Sequence, residues 1–334
     1  YILSESYLPQ PKPLNSIFRV LYKLLPIRVR SFLFMLFQKI KLSLFKVSHK
    51  QTFPKWPVDP CIDLLREVCW TAAAQLAKVQ VHSPEIRGKK IAIITHDIET
   101  GEAVANFDEI RKAEKKYGCD SSWSLVSNRY EMRDTRIRHL LNDGCEIINH
   151  GYTHDGLLPY LSQRDIQSRL RHLTKRWPFL EGKVQGFRSP QLLRNSRLSQ
   201  QVNKVFKFDL SVPDSEKLST MGLHTGCCTM FPFYNRQGTL IITLTMPQDF
   251  YLQYVYNYSG EKIEVTMKSK IDYVSNCGGV IVALFHPDSY MWRNKNSNET
   301  FDKVLFHIRK RGYIFSTPTK LYEEIRSLMC AASA

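Results

Sequence analysis

From residue 88 onward the chain alternates short apolar runs with longer polar stretches. The runs are Lys90–Thr95, Ser122–Val126, Cys145–Asn149, Val184–Phe187, Phe206–Leu210, Leu240–Thr245, Val280–Phe285 and Tyr313–Ser316. Bounded by turn residues, they have the length of buried strands rather than of helices. The intervals Asn106–Tyr117, Arg133–Asn142 and Gln163–Trp177 are long enough for crossover helices. Strand alternating with helix predicts parallel pairing with both sheet faces covered. Seven or eight such units suit an α/β fold of the (β/α) barrel kind better than an open sheet. No GxGxxG turn or phosphate loop favours a nucleotide-binding sheet. The fifth to seventh units are irregular, so the expected barrel, spanning 59–330, is distorted or incomplete.

Upstream the pattern is different. Residues 16–46 read as one or two amphipathic helices broken near Pro26, and Phe53–Pro60 is a proline-rich connector into a helical pattern from Ile62 to Val79. Residues 1–58 therefore form a separate N-terminal extension.

Charge sharpens that division. The formal net charge is +16, and residues 1–58 hold ten Lys or Arg against the single acid Glu5, an excess of nine. A basic helix with Phe and Leu at helical spacing suits either an anionic membrane surface as the partner of the extension or packing on the barrel exterior, and says nothing of the chemistry of the body. The run Ser31–Phe45 is too short to span a membrane and is interrupted by Lys39 and Lys41. No signal-peptide pattern is visible from Tyr1, so a cytoplasmic location, peripheral at the membrane, is the expectation. No zinc finger, helix-turn-helix or stacking motif supports nucleic acid as a partner. Of eight cysteines only Cys227 and Cys228 are adjacent, and no CxxC pair occurs. Reduced thiols, not a zinc ribbon or a disulfide framework, follow.

The chemistry lies at the ends of the apolar runs. Asp97 and Glu99 follow the first, His150 and His154 the third, and Arg188 the fourth; Asp209 lies near the end of the fifth, and His286 ends the seventh. In a parallel barrel the carboxyl ends of the strands build the active site. His150-Gly-Tyr-Thr-His154 can bring two imidazoles about 5–6 Å apart on one face of a turn, the requirement for two ligands of one divalent ion. Two unrelated histidines are the plainer reading of that spacing alone. In Thr95-His-Asp-Ile-Glu99 an extended backbone points residues 97 and 99 to the same side, so one carboxylate can bind metal while the other takes a proton. Acids decorating a helix N-terminus are the plainer reading there. His96 points the other way and is expected to make a structural hydrogen bond.

Together these residues resemble the polysaccharide deacetylase (NodB-homology) domain, carbohydrate esterase family four. The resemblance implies Asp97 as catalytic base, and Glu99, His150 and His154 as the ligands of one divalent ion. It implies Arg188, in Arg188-Ser-Pro190, as the residue orienting the base. Asp209-Leu-Ser211 and Leu284-Phe-His286 match two further elements, with His286 as general acid kept protonated by Asp209. Ser189, Pro190, Gln191 and Leu284 fall at substrate-binding positions. A subgroup from bacterial exopolysaccharide gene sets is closer still, through Phe53 to Pro57, Phe231 to Phe233, Pro247 to Asp249 and His286 to Asp288.

Three departures stand out. Ile98 separates the two acids where adjacent aspartates are usual, Gln191 replaces an aromatic residue, and the tryptophan of the fourth element is missing, with Asp214 nearby. The resemblance implies a metal-dependent hydrolase that removes N-acetyl groups from a carbohydrate, with zinc as the first candidate ion and cobalt, nickel or manganese as others. A hydrolase of a non-sugar amide or cyclic ureide on the same fold, or a non-catalytic metal- or glycan-binding module, are the competing readings.

Overall fold

A computed structural model describes residues 89–332 except 216, 217, 220, 221, 224, 225 and 289–294, together with residues 29, 36, 40, 65, 68, 69, 71, 72, 75 and 76. The earlier residues among these are helical. The expected membrane-binding extension, 1–58, otherwise lies outside the described residues, as does most of the Ile62–Val79 pattern. Among the described residues no helix is long and apolar enough to cross a membrane.

Each of the eight apolar runs contains a strand. The chain enters through β1 (Ile91–Ile98), continues as helices α1 (Gly101–Ala105) and α2 (Phe107–Lys115), then β2 (Ser122–Leu125), α3 (Asp134–Asn142) and β3 (Glu146–Asn149). Helices α4 (Gln163–Leu170) and α5 (His172–Arg176) precede β4 (Gly186–Phe187); α6 (Ser196–Asn203) precedes β5 (Phe208–Asp209). A small hairpin of β6 (Leu218–Ser219) and β7 (Gly222–Leu223) is followed by β8 (Phe233–Tyr234) and β9 (Leu240–Ile241). Then come a π-helical turn at Tyr251–Val255, α7 (Gly260–Asn276), β10 (Ile281–Phe285), α8 (Lys295–Lys310), β11 (Ile314–Phe315) and α9 (Pro318–Ala332).

The sheet order is β10-β1-β2-β3-β4-β5-β9-β8, with β11 also on β1. Every pairing is parallel except β8 with β9. This is the distorted α/β barrel that the alternation predicts. The helices start where local chemistry allows: Thr100, Ser162 and Asn195 each accept a hydrogen bond from a backbone N–H of the first turn of α1, α4 and α6.

All eight positions of β1 are buried, as a strand with helices on one side and the barrel interior on the other requires. Ile91 and Ile93 face inward with Ile148, Phe208, Leu240, Val282 and Leu284, while Ala92, Ile94 and Ile98 pack outward with Phe107, Trp123, Ile147 and Ile271. Leu321 and Ile325 of α9 join the inner cluster. Lys89 with Glu324, Glu146 with Thr319, and Lys320 with Asp120 fasten the same helix to the starts of the strands. The C-terminal helix thus closes the lower mouth and leaves the carboxyl ends of the strands for chemistry.

Closure of the ring is irregular. Beyond β9, the backbone N–H groups of Thr245 and Met246 both donate to Val282 O, at 3.2 and 3.0 Å. The Thr245 hydroxyl donates to Val280 O (2.9 Å) and accepts from Val282 N (2.8 Å). Two backbone donors on one carbonyl and one side chain therefore take the place of a strand ladder between the last two parts of the sheet. Thr245→Val keeps the shape but strands the buried Val282 N–H. A loss of roughly 1–3 kcal/mol is expected, read as a lower denaturant midpoint at unchanged slope.

Candidate metal centre and active site

Strand β1 runs past the expected Thr95 to Ile98, and this extension carries Asp97 inside the sheet with Glu99 at its end. His96 turns outward, where its Nε2 donates to Glu114 (2.7 Å) between Trp123 and Phe285. Arg111 and Ser121 bind the other oxygen of Glu114 at 2.5 and 2.8 Å. The outward histidine is structural, as expected, and it anchors the strand end on which both acids stand.

His150 and His154 leave the end of β3 on a loop, not a helix. Gly151 has φ 77° and His154 φ 54°, and a Cβ at Gly151 would fall 2.9 Å from Pro190. A glycine there lets Pro190 press the loop down while the chain doubles back, so that the two imidazole rings lie 5.1 Å apart. His150 Nδ1 donates to Arg188 O (2.9 Å). That bond fixes the tautomer whose Nε2 lone pair faces the site.

The Nε2 atoms of both histidines are buried, and among the described residues neither has a partner in good hydrogen-bond geometry, although both approach Glu99. Glu99 Oε1 lies 2.8 Å from His154 Nε2 and 3.8 Å from His150 Nε2, and one ligand atom from each of the three residues lies within 4.8 Å of the others. Two orphaned imidazole nitrogens converging on a carboxylate fit a divalent cation, whose ligands are neutral imidazole and ionised carboxylate. The electrostatics agree. Burial raises the pKa of Glu99, but the neighbouring His154 and His150 outweigh it and hold the carboxyl well below its usual range. Burial pushes the pKa of His154 down.

Asp97 stands beside this triad, its Oδ2 3.5 Å from His150 Nε2. Arg188, fully buried, donates from Nη1 to Asp97 Oδ1 (3.0 Å) and to Thr95 Oγ1 (2.7 Å), and from Nε to Leu210 O (3.3 Å). A guanidinium pinned across β1 and β5 leaves the carboxylate one orientation. Burial raises the pKa of Asp97, but His150 and Arg188 together bring it below the ordinary value, so the group stays ionised.

His286 Nε2 lies 3.8 Å from the same Glu99 Oε1, in a grouping with Asp97 and Glu99 whose ligand atoms all fall within 4.8 Å of one another. Its partner is not Asp209. Among the described residues, Asp209 receives the N–H and the hydroxyl of Ser211 and does not touch His286. The Ser211 hydroxyl in turn accepts from Ser189 N (2.8 Å). Asp209 thus braces the loop after Arg188, and burial raises its pKa. The short β5 ends before its acid can reach across the barrel. Asp214, the other acid of that segment, binds buried Lys270 at 2.6 Å.

The carboxylate that holds His286 belongs to Asp249. Fully buried, it accepts from His286 Nδ1 (2.6 Å) and from His286 N (2.8 Å). Burial alone would lower the imidazole pKa, but Asp249 outweighs it and raises the group to about 10. Asp249 lies within the Pro-Gln-Asp run noted in the sequence, where it had no role. Its signal was the one shared by the other site residues, an acid just past an apolar run.

The expected substrate positions separate. Ser189 and Pro190 are buried; the Ser189 hydroxyl bonds Leu193 O at 2.5 Å, so both residues shape the loop from beneath. Leu284 is buried in the inner cluster under the site. Gln191 is exposed at the rim with φ 56°, its amide beside Gly156.

No protein-family model and no curated protein sequence matches this chain significantly. Solved structures do match. An allantoinase (Puue) is similar at TM-score 0.58 and 14% identity, over 74% of this chain and 94% of that one. A putative polysaccharide deacetylase from Mycobacterium smegmatis is similar at TM-score 0.55 and 14% identity, over 75% and 93%. The chain therefore has the fold of the polysaccharide deacetylases, which an allantoinase shares.

Proposed function

We propose that this protein is a metal-dependent hydrolase that removes the acetyl group from an N-acetylated carbohydrate. One observation carries the reading: beside a triad with the donor set of an ion site stand a carboxylate held by an arginine and a histidine held by a carboxylate. Holding an ion needs neither Asp97 nor His286, whereas amide hydrolysis needs a base and an acid.

What a divalent ion, zinc first among candidates, supplies at Glu99, His150 and His154 is polarisation of the amide carbonyl and a water of lowered pKa. Asp97, oriented by Arg188, accepts a proton from the attacking water as its oxygen bonds to the carbonyl carbon. His286 gives the Nε2 proton to the amide nitrogen as the C–N bond breaks. Acetate and the free sugar amine leave, and the proton on Asp97 returns to solvent or to His286. His286 also lies within reach of a second grouping, with Asp97 and Glu99. Against the effect of burial, Asp249 raises the His286 pKa to about 10, so Nε2 holds a proton and the ring serves as a proton carrier instead of a ligand.

The expected result is acetate release from N-acetyl sugars that stops on chelation and returns with added divalent metal. Metal content should be restored in parallel. A chelated protein that keeps full activity would sink the proposal. The likeness to an allantoinase speaks for a second reading, hydrolysis of a cyclic ureide; ring opening of a ureide without acetate release from any sugar would select it.

A further inference from the structure

The segment after β2 is clamped over the metal loop. Ser127 N donates to Gly151 O (3.1 Å) and Asn128 N to Tyr152 O (2.7 Å), which ties it to the backbone between the two histidine ligands. From α5, Arg176 donates to Ser127 O (2.8 Å) and Tyr130 O (3.3 Å). Val126 N donates to the Tyr130 hydroxyl at 3.2 Å. At the tip of this fixed turn stands Arg129, half-buried, with Nη1 3.4 Å from the carbonyl of the ligand His154.

That single long bond is poor use of five N–H donors. Two other guanidiniums near the site have acids: Arg188 has Asp97 and Arg169 has Asp155, at 3.0 and 2.8 Å. Among the described residues no carboxylate pairs with Arg129. A half-desolvated guanidinium with free donors, on a turn whose ordering is already complete, is preorganised to take an anion in bidentate fashion. The rest of the molecule does not oppose it. Beyond residue 58 the chain still carries 37 Lys or Arg against 30 acids (47 less 10, and 31 less 1), a field that favours anionic ligands.

We propose that the substrate of this site carries an anionic group, a carboxylate or a phosphoryl group, near its acetamido function, and that Arg129 binds it. The inference rests on the deacetylase reading and names the substrate class. Gln191, exposed at the rim, is in keeping, since it offers a polar amide and no stacking surface to a neutral sugar ring.

The test uses the metal-loaded full chain and three substrates: a neutral N-acetylglucosamine oligosaccharide, an N-acetylated uronic acid, and N-acetylglucosamine 1-phosphate. One charged substrate should exceed the neutral one by about tenfold or more in kcat/KM, with the advantage shrinking as salt rises. Arg129→Ala should cut that advantage at least about tenfold, chiefly through KM, and Arg129→Lys should recover part of it. The charged substrate that shows the advantage identifies the anion. Equal turnover of neutral and charged substrates, or an equal loss on all three in Arg129→Ala, overturns the proposal. Should wild type release no acetate from any of them, the deacetylase reading fails by itself. Calorimetric binding of the same three compounds then decides for Arg129: charged binding lost in Arg129→Ala supports it, and equal binding of charged and neutral compounds overturns it.

Discussion

Asp97→Asn is expected to lose on the order of 10²–10⁴ in turnover with its metal content near wild type. Two residues along, Glu99→Gln is expected to lose the metal first. The acids are chemically alike and sit on one side of one strand end, yet the proposed mechanism gives them different work. Glu99 Oε1 faces two orphaned imidazole nitrogens, so neutralising it removes the one anion of the triad. Asp97 spends one oxygen on Arg188 and has the other beside His150, in reach of the same space without being needed to fill it. Asparagine keeps a hydrogen bond to Arg188 through its carbonyl but has no lone pair basic enough for a water proton. Because Arg188 and His150 hold the Asp97 pKa below normal, the carboxylate is a weak base, which serves only a water already made acidic. Metal analysis after dialysis and acetate release on both variants decide the matter. Loss of the ion from Asp97→Asn with retention in Glu99→Gln reverses the two roles. Full turnover in both removes the mechanism altogether.

Asp249→Asn is expected to cost a similar factor, roughly 10²–10⁴, through a residue that touches neither metal nor substrate. Here pH is the diagnostic. A general acid must be protonated, so activity falls as pH rises through its pKa. With Asp249 in place that pKa is about 10, and His286 stays charged across the neutral range. Asparagine removes the negative charge but leaves the burial, which acts downward. The alkaline limb of the kcat profile should therefore move to lower pH, and part of the lost rate should return on acidification. A merely structural Asp249 would lower activity by the same factor at every pH.

The fold was readable because each strand core is a compact apolar run between polar intervals, and burial on both faces left no other use for such runs. Candidate site residues were readable by the same rule, being ionisable groups just past the runs. The misassigned partner of His286 shows where that rule stops. Asp209 and Asp249 both lie near the ends of apolar runs, but which of them reaches across the barrel depends on how far each strand extends before the chain turns. Strand β5 retains only Phe208 and Asp209, and Asp209 is taken up locally by Ser211. Nothing in the local spelling of either segment encodes that difference. The role of Arg129 was equally hidden, since it depends on a turn fastened by Arg176, a residue 47 positions further along (176 less 129).

The side-chain joint at Thr245 has a consequence for the proton donor. Thr245 grips the chain at Val280 and Val282, the second of them four positions short of His286, and its own run of chain reaches Asp249 four residues later. Donor and counter-charge are therefore carried by the two lips of one seam, stitched by a hydroxyl where a full ladder would have forced both lips to run on in register. A few residues past that joint the Asp249 carboxylate meets both the ring and the main chain of His286. The acid strength of His286 is thus a property of how the barrel is sewn shut. Amide exchange at Val282, far easier to follow than catalysis, doubles as a gauge of whether the proton donor is still armed.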